Sequence, residues 1–236
     1  MNNKRSSFSE SRGVDGLDGE LGGFFPFWNG LGESERERLR RNARRASFAR
    51  GAQLHSGDEC TGVFCVSSGE IRVYIMSEQG REITLYRLGE GDVCMLSASC
   101  VLQSVSFDVY VSAETDCECI LIDGKSFADV SDSDITVRCY ALELAVSRFS
   151  DVMWAMQQVL FMSFDRRLAI FLWDEMQKTG DPLIRLTHEQ IARYTGSARE
   201  VVSRMLKYFA TEHIVENSRG GVRVIDKARL KRLALG

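Results

Sequence analysis

The sequence predicts an α+β protein: an N-terminal antiparallel β-roll, then one long helix, then a C-terminal winged helix-turn-helix. Three observations carry this. Short β-branched and aromatic runs alternate with glycine turns from Ser47 to about Asp129, the pattern of an antiparallel roll or barrel. From Asp134 to Met162 there is neither Gly nor Pro, and apolar residues step by alternating 4 and 3, a heptad rhythm. Near the C-terminus, two amphipathic helices joined at Thr195-Gly196 precede a glycine-turned hairpin.

At 236 residues the chain has room for two compact domains. Its net charge of −3 hides an asymmetry. From Phe164 onward, 14 Lys+Arg face 9 Asp+Glu, a balance of +5; the preceding residues hold 16 against 24, a balance of −8. A basic segment joined to an acidic one fits a chain of which one part meets phosphates. No apolar run reaches the roughly 18 residues of a membrane span. Met1 to Glu20 lacks the apolar core of a secretory signal, so a cytoplasmic setting is expected. The seven cysteines then read as thiols, ligands or redox sensors before structural disulfides.

Residues 1–23, rich in Gly, Ser and charge, are expected to be disordered. Residues 24–130 form the expected sensor roll. It opens on Phe24-Phe25-Pro26-Phe27-Trp28 and a charged helix over Glu33–Arg45, capped at Gly32 or Ser34. Strands are expected at Val63–Val66, Ile71–Ile75, Ile83–Tyr86, Phe107–Val111 and Cys119–Ile122, punctuated by Gly57, Gly69, Gly80 and the pair Gly89/Gly91. The long helix, assigned to residues 131–163, carries Ile135, Cys139, Leu142, Val146, Phe149, Met153, Met156 and Leu160 on one seam. That spacing predicts a two-stranded coiled coil and hence a homodimer. Ala145, Val152 and Val159 broaden the stripe, so the same helix is also expected to touch the roll.

Residues 164–236 form the expected winged helix-turn-helix. Thr187-His188-Glu189-Gln190 and Ser197-Ala198-Arg199-Glu200 both read as capping boxes. On the second helix, Val201, Val202, Met205, Leu206 and Phe209 are expected to pack inward. Arg199, Glu200, Ser203, Arg204 and Lys207 are expected to project outward. Arginine binds guanine O6/N7 bidentately and glutamate accepts from cytosine N4, so double-stranded DNA is the expected partner. Lys207, Thr187, Ser197 and the wing residue Arg219 suit the backbone, which supplies affinity without sequence preference. His188 is expected to meet phosphate or solvent, and His55 to lie at the surface.

At residues 68–74 (SGEIRVY), 80–92 (GREITLYRLGEGD) and 186–206 (LTHEQIARYTGSAREVVSRML), the chain resembles the Crp/Fnr family of bacterial transcription regulators. The resemblance spans about residues 24–233. It implies a cupin-like, cyclic-nucleotide-binding-domain-like roll that senses a signal, a dimer helix, a palindromic operator and contact with RNA polymerase. Family members contact bases through the residues matching Arg199, Glu200 and Arg204. Glu200, Ser203 and Arg204 match the oxygen-responsive branch and Arg199 the cyclic-AMP branch, so the half-site is expected to be TGTGA-like or TTGAN-like.

The resemblance also speaks to the signal. Phe107 and Asp108 stand where cyclic-nucleotide members carry an Arg-Ser pair on the phosphate, and an aspartate there repels a cyclic phosphate, which disfavours cyclic AMP. The N-terminal cysteines of the iron–sulfur oxygen sensors are absent, since residues 1–59 hold no cysteine. Cys94-Met95-Leu96-Ser97 is similar to the axial-ligand loop of the carbon-monoxide-sensing haem regulators, with Cys94 as thiolate ligand and Leu96 in place of histidine. Cys94 and Cys100 are therefore the effector or redox candidates, through haem, an iron–sulfur cluster or a reversible disulfide. Cys65, Cys119 and Cys139 read as packing residues.

Catalysis is not expected. A cupin-type enzyme needs clustered His and Glu ligands, and the roll segment holds only His55; no nucleophile–base pair, P-loop or GxGxxG is present. The remaining alternative is a regulator without effector, controlled by its abundance.

Overall fold

The computed structural model describes residues 16–57, 60–95 and 108–235. They group into two compact units: residues up to Met76 with Leu85–Val152, and Ser77–Thr84 with Met153 to the C-terminus.

The first unit is the roll. Its strands are β1 (Ala43–Phe48), β2 (Gln53–Gly57), β3 (Val63–Ser68), β4 (Ile71–Met76), β5 (Glu82–Leu88), β6 (Val93–Cys94), β7 (Val109–Ala113) and β8 (Cys117–Ile122). They make two four-stranded sheets, ordered β1-β8-β3-β6 and β2-β7-β4-β5. Antiparallel registers such as Phe64↔Leu121 and Val73↔Val111 fix which residues share a face. Phe64, Val66, Ile71, Val73, Val111 and Leu121 pack in the core that the two sheets build together. The alternate residues of the first sheet, Val63, Cys65, Ile120 and Ile122, face a second core.

Four helices supply that second core: α1 (Leu17–Phe24), α2 (Glu33–Arg41), α3 (Gly124–Ser133) and the start of α4 (Ile135–Phe161). Phe25, Phe27, Trp28, Leu39, Phe127 and Val137 are among its members. α3 begins at a capped turn, where Asp123 Oδ2 accepts the Ser126 backbone N–H at 2.8 Å. Asp134 Oδ1 accepts the N–H groups of Thr136 and Val137 and opens α4 in the same way.

α4 has two faces. Val137 and Ala141 are buried, Tyr140 and Leu144 pack on the helical core, and Val152 packs on the core between the sheets. The heptad residues lie on the other side. Ile135 (72%), Leu142 (55%), Val146 (66%), Phe149 (64%) and Leu160 (63%) keep most of their surface exposed, and Met153, Met156 and Cys139 are exposed too.

The second unit holds α5 (Phe164–Thr179), β9 (Leu183–Ile184), α6 (His188–Thr195), α7 (Arg199–Thr211), β10 (Val215–Ser218), β11 (Gly221–Val224) and α8 (Lys227–Leu235). Its three-stranded sheet runs β10-β11-β9. Leu168, Leu172, Ile191, Val202, Leu206 and Phe209 make the core with Val222 and Leu230. No described helix is long and apolar enough to cross a membrane.

Several expectations need correction. The disorder expected for residues 1–23 fails where it can be checked: Leu17–Phe24 is helical, because Leu17 and Leu21 are buried in the helical core. Residues 1–15 lie outside the described residues. Ala43–Arg45, expected as helix, pairs with β8 as the start of β1. Ser197 does not cap α7. The helix starts one residue later, with Ala198 at the N-cap and no side-chain cap. Ser197 instead closes α6, its N–H bonding to Ala192 O at 2.9 Å after Gly196 turns left-handed at φ 60°. His55 is buried (3%), on β2, with Nδ1 2.8 Å from Thr61 Oγ1.

Candidate nucleic-acid interface

The reading head is built on α6, its turn and α7. α6 opens with the expected reciprocal cap: Thr187 Oγ1 accepts the Gln190 N–H at 3.2 Å, and Gln190 Oε1 accepts the Thr187 N–H at 2.9 Å. The turn needs a residue free to adopt positive φ, which Gly196 supplies. α7 then places Val202, Leu206 and Phe209 in the core. On an α-helix, positions three and four apart share a face. Burying 202, 206 and 209 therefore turns Arg199, Glu200, Arg204 and Lys207 outward, and all four are exposed.

Arg199, Glu200, Arg204, Lys207 and the exposed Arg219 have no side-chain partner among the described residues. Their donors and acceptors are thus available to a ligand. An arginine row with a glutamate on the exposed face of a helix whose other face is buried has the chemistry to hydrogen-bond base edges in a major groove. The wing adds Arg219 at the tip of the β10–β11 hairpin, beside Gly220 at φ 94°. Thr187 is exposed at the N-terminus of α6, and the first N–H groups of that helix suit a phosphate oxygen.

Two residues differ from expectation. Ser203 is half-buried, and its Oγ lies 2.8 Å from His188 Nδ1. His188 accordingly bonds the reading helix, where phosphate or solvent was expected. Sequence reasoning passed over this pair because a 15-residue separation across a turn leaves no periodic signal. It also passed over Arg223, exposed on the wing strand β11, and Arg185, whose Nη1 meets Asp181 Oδ2 at 2.7 Å. That guanidinium and the Leu183 N–H hold the Asp181 carboxyl below its ordinary value, the backbone bond first.

In the roll, the thiol candidates separate. Cys94, expected in a loop, lies on β6 opposite Phe64 and is 1% exposed. Cys100 lies outside the described residues. Cys65, Cys94, Cys117 and Cys119 are buried and outside any disulfide, Cys139 is exposed and likewise not in a disulfide, and Cys60 is disulfide-bonded. Burial pushes the Cys65 thiol well up and that of Cys119 to about 12, with neighbouring cysteines adding to both. Thiols so placed stay protonated at neutral pH and make poor nucleophiles. Among the described residues, no group of three or more His, Cys, Asp or Glu side chains is placed to hold a metal ion. Cys94 packs in the core that the two sheets build together, and residues 96–107, which follow it, lie outside the described residues.

On the α4 side of the roll, the Arg148 guanidinium lies 5.1 Å from the centre of the Tyr86 ring. It also meets Asp151 at 3.0 Å and Asp92 at 3.7 Å. This cluster joins the long helix to β5 and to the turn before β6.

A winged helix-turn-helix with a free basic reading helix, carried with a double-sheet roll and a long helix bearing an exposed heptad seam, defines a DNA-binding transcription regulator with a sensing roll. A family model of the Crp-like helix-turn-helix domain matches residues 166–233, and one of the cyclic nucleotide-binding domain matches residues 47–134. A solved chain from Eubacterium rectale assigned to the Crp/Fnr family of transcriptional regulators is 40% identical, with a TM-score of 0.87 over 90% of this chain and 99% of that one. The chain belongs to the Crp/Fnr family of transcription regulators. It is also 24% identical to the cyclic AMP receptor protein of Thermus thermophilus, over 89% of this chain and 97% of that protein. The c-di-GMP-responsive regulator CLP of Xanthomonas campestris shares the fold at 18% identity, with a TM-score of 0.69 over 83% of this chain and all of that one.

Proposed function

We propose that the chain acts as a homodimer on a palindromic operator, with Arg199, Glu200 and Arg204 of each copy reading bases in successive major grooves. The carrying observation is the exposure of these side chains, without partners among the described residues, on the helix whose opposite face is buried. The exposed apolar seam of α4 supports the dimer, since apolar residues at heptad spacing lose that exposure only against a second helix. Half-sites about one helical turn apart follow from two-fold symmetry. The roll then biases the dimer and through it the spacing of the reading helices. RNA polymerase is the expected protein partner on family grounds, and the cytoplasm the expected compartment.

For the signal, we infer an effector other than cyclic AMP, because Phe107 and Asp108 replace the phosphate-binding pair; Phe107 lies outside the described residues. Cys94 and Cys100 are the candidates for a haem, iron–sulfur or thiol-borne signal; Cys100 lies outside the described residues.

The test is selection of operators from a random DNA pool, followed by binding isotherms. Arg204→Ala should cost about 1–3 kcal/mol on the selected site and relax preference at one position. Lys207→Ala should weaken selected and random DNA alike and flatten the salt dependence by about one counterion. A pool that yields no palindrome overturns the proposal, as does an equal loss on random DNA for Arg204→Ala.

A further inference from the structure

We infer that His188 is a specificity-determining residue that acts through Ser203, by setting the sign of the hydrogen bond Ser203 offers to a base. The inference rests on α7 being the helix that reads DNA. Ser203 sits one turn beyond Arg199 and Glu200 and one turn before Lys207, on the shared outer face of α7. His188, the first residue of α6, places Nδ1 2.8 Å from Ser203 Oγ, a full hydrogen bond between the two helices. Both side chains are half-buried, so the bond lies partly out of water while the serine edge stays reachable from the groove.

A serine hydroxyl has one hydrogen and two lone pairs, and free in solvent it rotates to suit any partner. Bonded to His188 it loses that freedom. With Nδ1 unprotonated, the imidazole accepts the Ser203 O–H. The serine then shows the groove only lone pairs, which suit the exocyclic amino groups of adenine and cytosine. With a hydrogen on Nδ1, the imidazole donates to Oγ and the serine O–H turns outward. It then suits guanine O6 or N7, thymine O4 and adenine N7. The tautomer of one ring on α6 thus decides whether a neighbouring serine on α7 prefers cytosine or prefers guanine and thymine, adenine offering an edge of either kind. A serine without this partner accepts either.

The experiment compares base preferences, selected from a random pool, for the full-length wild type, His188→Ala, His188→Asn, Ser203→Ala and the double variant His188→Ala/Ser203→Ala. His188→Ala should cut discrimination at one base pair of each half-site by roughly three- to tenfold, the worth of one hydrogen bond, while affinity for random DNA stays within twofold. Ser203→Ala should broaden the same base pair, and the double variant should add nothing further. His188→Asn, whose amide can offer Ser203 either its oxygen or its NH2, should keep a hydrogen bond between the helices and the stability of the head while leaving discrimination below that of the wild type, which a merely structural role of the ring would not produce. Far-ultraviolet circular dichroism melts of each variant establish that the reading head is folded. A sharp wild-type profile left unchanged by His188→Ala overturns the inference, as do additive effects in the double variant. A wild-type profile with no base preference at all instead overturns the assignment of α7 as the reading helix, and this inference with it.

Discussion

Arg72 Nε lies 2.9 Å from Glu114 Oε1, and only 1% of the arginine side chain is exposed. The guanidinium also stacks 4.0 Å from the centre of the Tyr74 ring. Arg72 belongs to β4 and faces Ser112 of β7 in register, so the ion pair reaches across to the end of the neighbouring strand. Beside it, the Glu114 N–H bonds to Glu70 O at 2.8 Å and fixes the turn that carries the carboxylate. Attraction between buried charges offsets their desolvation only while both are present. Glu114→Ala should therefore cost about 3–5 kcal/mol, because it leaves a buried guanidinium without its counter-charge. In a chain of this size that is a fall in Tm of roughly 10 °C. Arg72→Met/Glu114→Leu should recover most of it, and a melt of Glu114→Ala within 2 °C of wild type would sink the argument.

The seam on α4 leads to a different measurement. Leu142 and Phe149 are exposed at 55% and 64%, while Val137 and Ala141 on the opposite face hold the helix to its own unit. Leu142→Glu/Phe149→Glu should turn a dimer of the 26.6 kDa chain into a monomer at micromolar concentration, measured by sedimentation or light scattering. The unfolding of the roll should be little changed, because neither residue contributes to its core. Cys139 offers an independent reading. It is free, exposed and on the seam, so mild oxidation should cross-link wild-type copies in a parallel pair and leave Cys139→Ser uncross-linked. A double variant that sediments as the wild type does would rule out this seam as the interface.

The seam, the roll and the reading head were legible because each repeats a short period: alternation with glycine turns, heptads, and caps before amphipathic helices. What was illegible lacked a period. α1 hides Leu17 and Leu21 among Gly and Asp, and only its packing against Phe25 and Trp28 reveals that the two leucines are core residues. Ala43–Arg45 continues a run of arginines whose charge resembles the helix before it, yet pairing with Leu121 and Ile120 makes it strand. β2 contains His55 and no apolar alternation, and β6 is two residues long. At the interface, residue types predicted the exposure of Arg199, Glu200, Arg204 and Lys207, but not the half-burial of Ser203. The Ser203–His188 bond depended on how two helices cross, which no local pattern encodes.

Cyclic AMP supplies a test of the roll. A ligand that binds the folded state raises its stability by RT ln(1 + [L]/Kd), about 2.7 kcal/mol at a hundredfold excess over Kd. Asp108 is exposed, and on the proposed reading, which puts Phe107 and Asp108 in place of the phosphate-binding pair, its charge opposes a cyclic phosphate. Millimolar cyclic AMP should therefore leave the Tm within 1 °C and leave operator affinity unchanged. A rise of several degrees would overturn the reading of Phe107 and Asp108.

The buried thiols make stability fall at alkaline pH, with a definite sign. Cys119 is pushed to about 12, by burial first and then by Cys117 and Cys94, while Cys65 is raised well above its ordinary value by burial and by Cys119 and Cys94. Tyr140 is likewise raised to about 12, mainly by burial. Below about pH 8.5 these groups hold their protons in both states, and they contribute no pH dependence. Above that pH the unfolded chain releases the thiol protons and the folded chain does not, so the unfolded state gains. Each such group removes about 1.4 kcal/mol per pH unit until its folded value is reached. For Cys119 the window runs from about pH 8.5 to about 12. Urea midpoints should be level from pH 7 to 8.5 and then decline. Cys119→Ala should start from a lower midpoint, because it leaves a small cavity, but should decline less steeply. Equal slopes for the two proteins would mean that the Cys119 thiol is not shielded in the folded roll, and a wild type level to pH 10.5 would mean the same for the whole set of buried thiols.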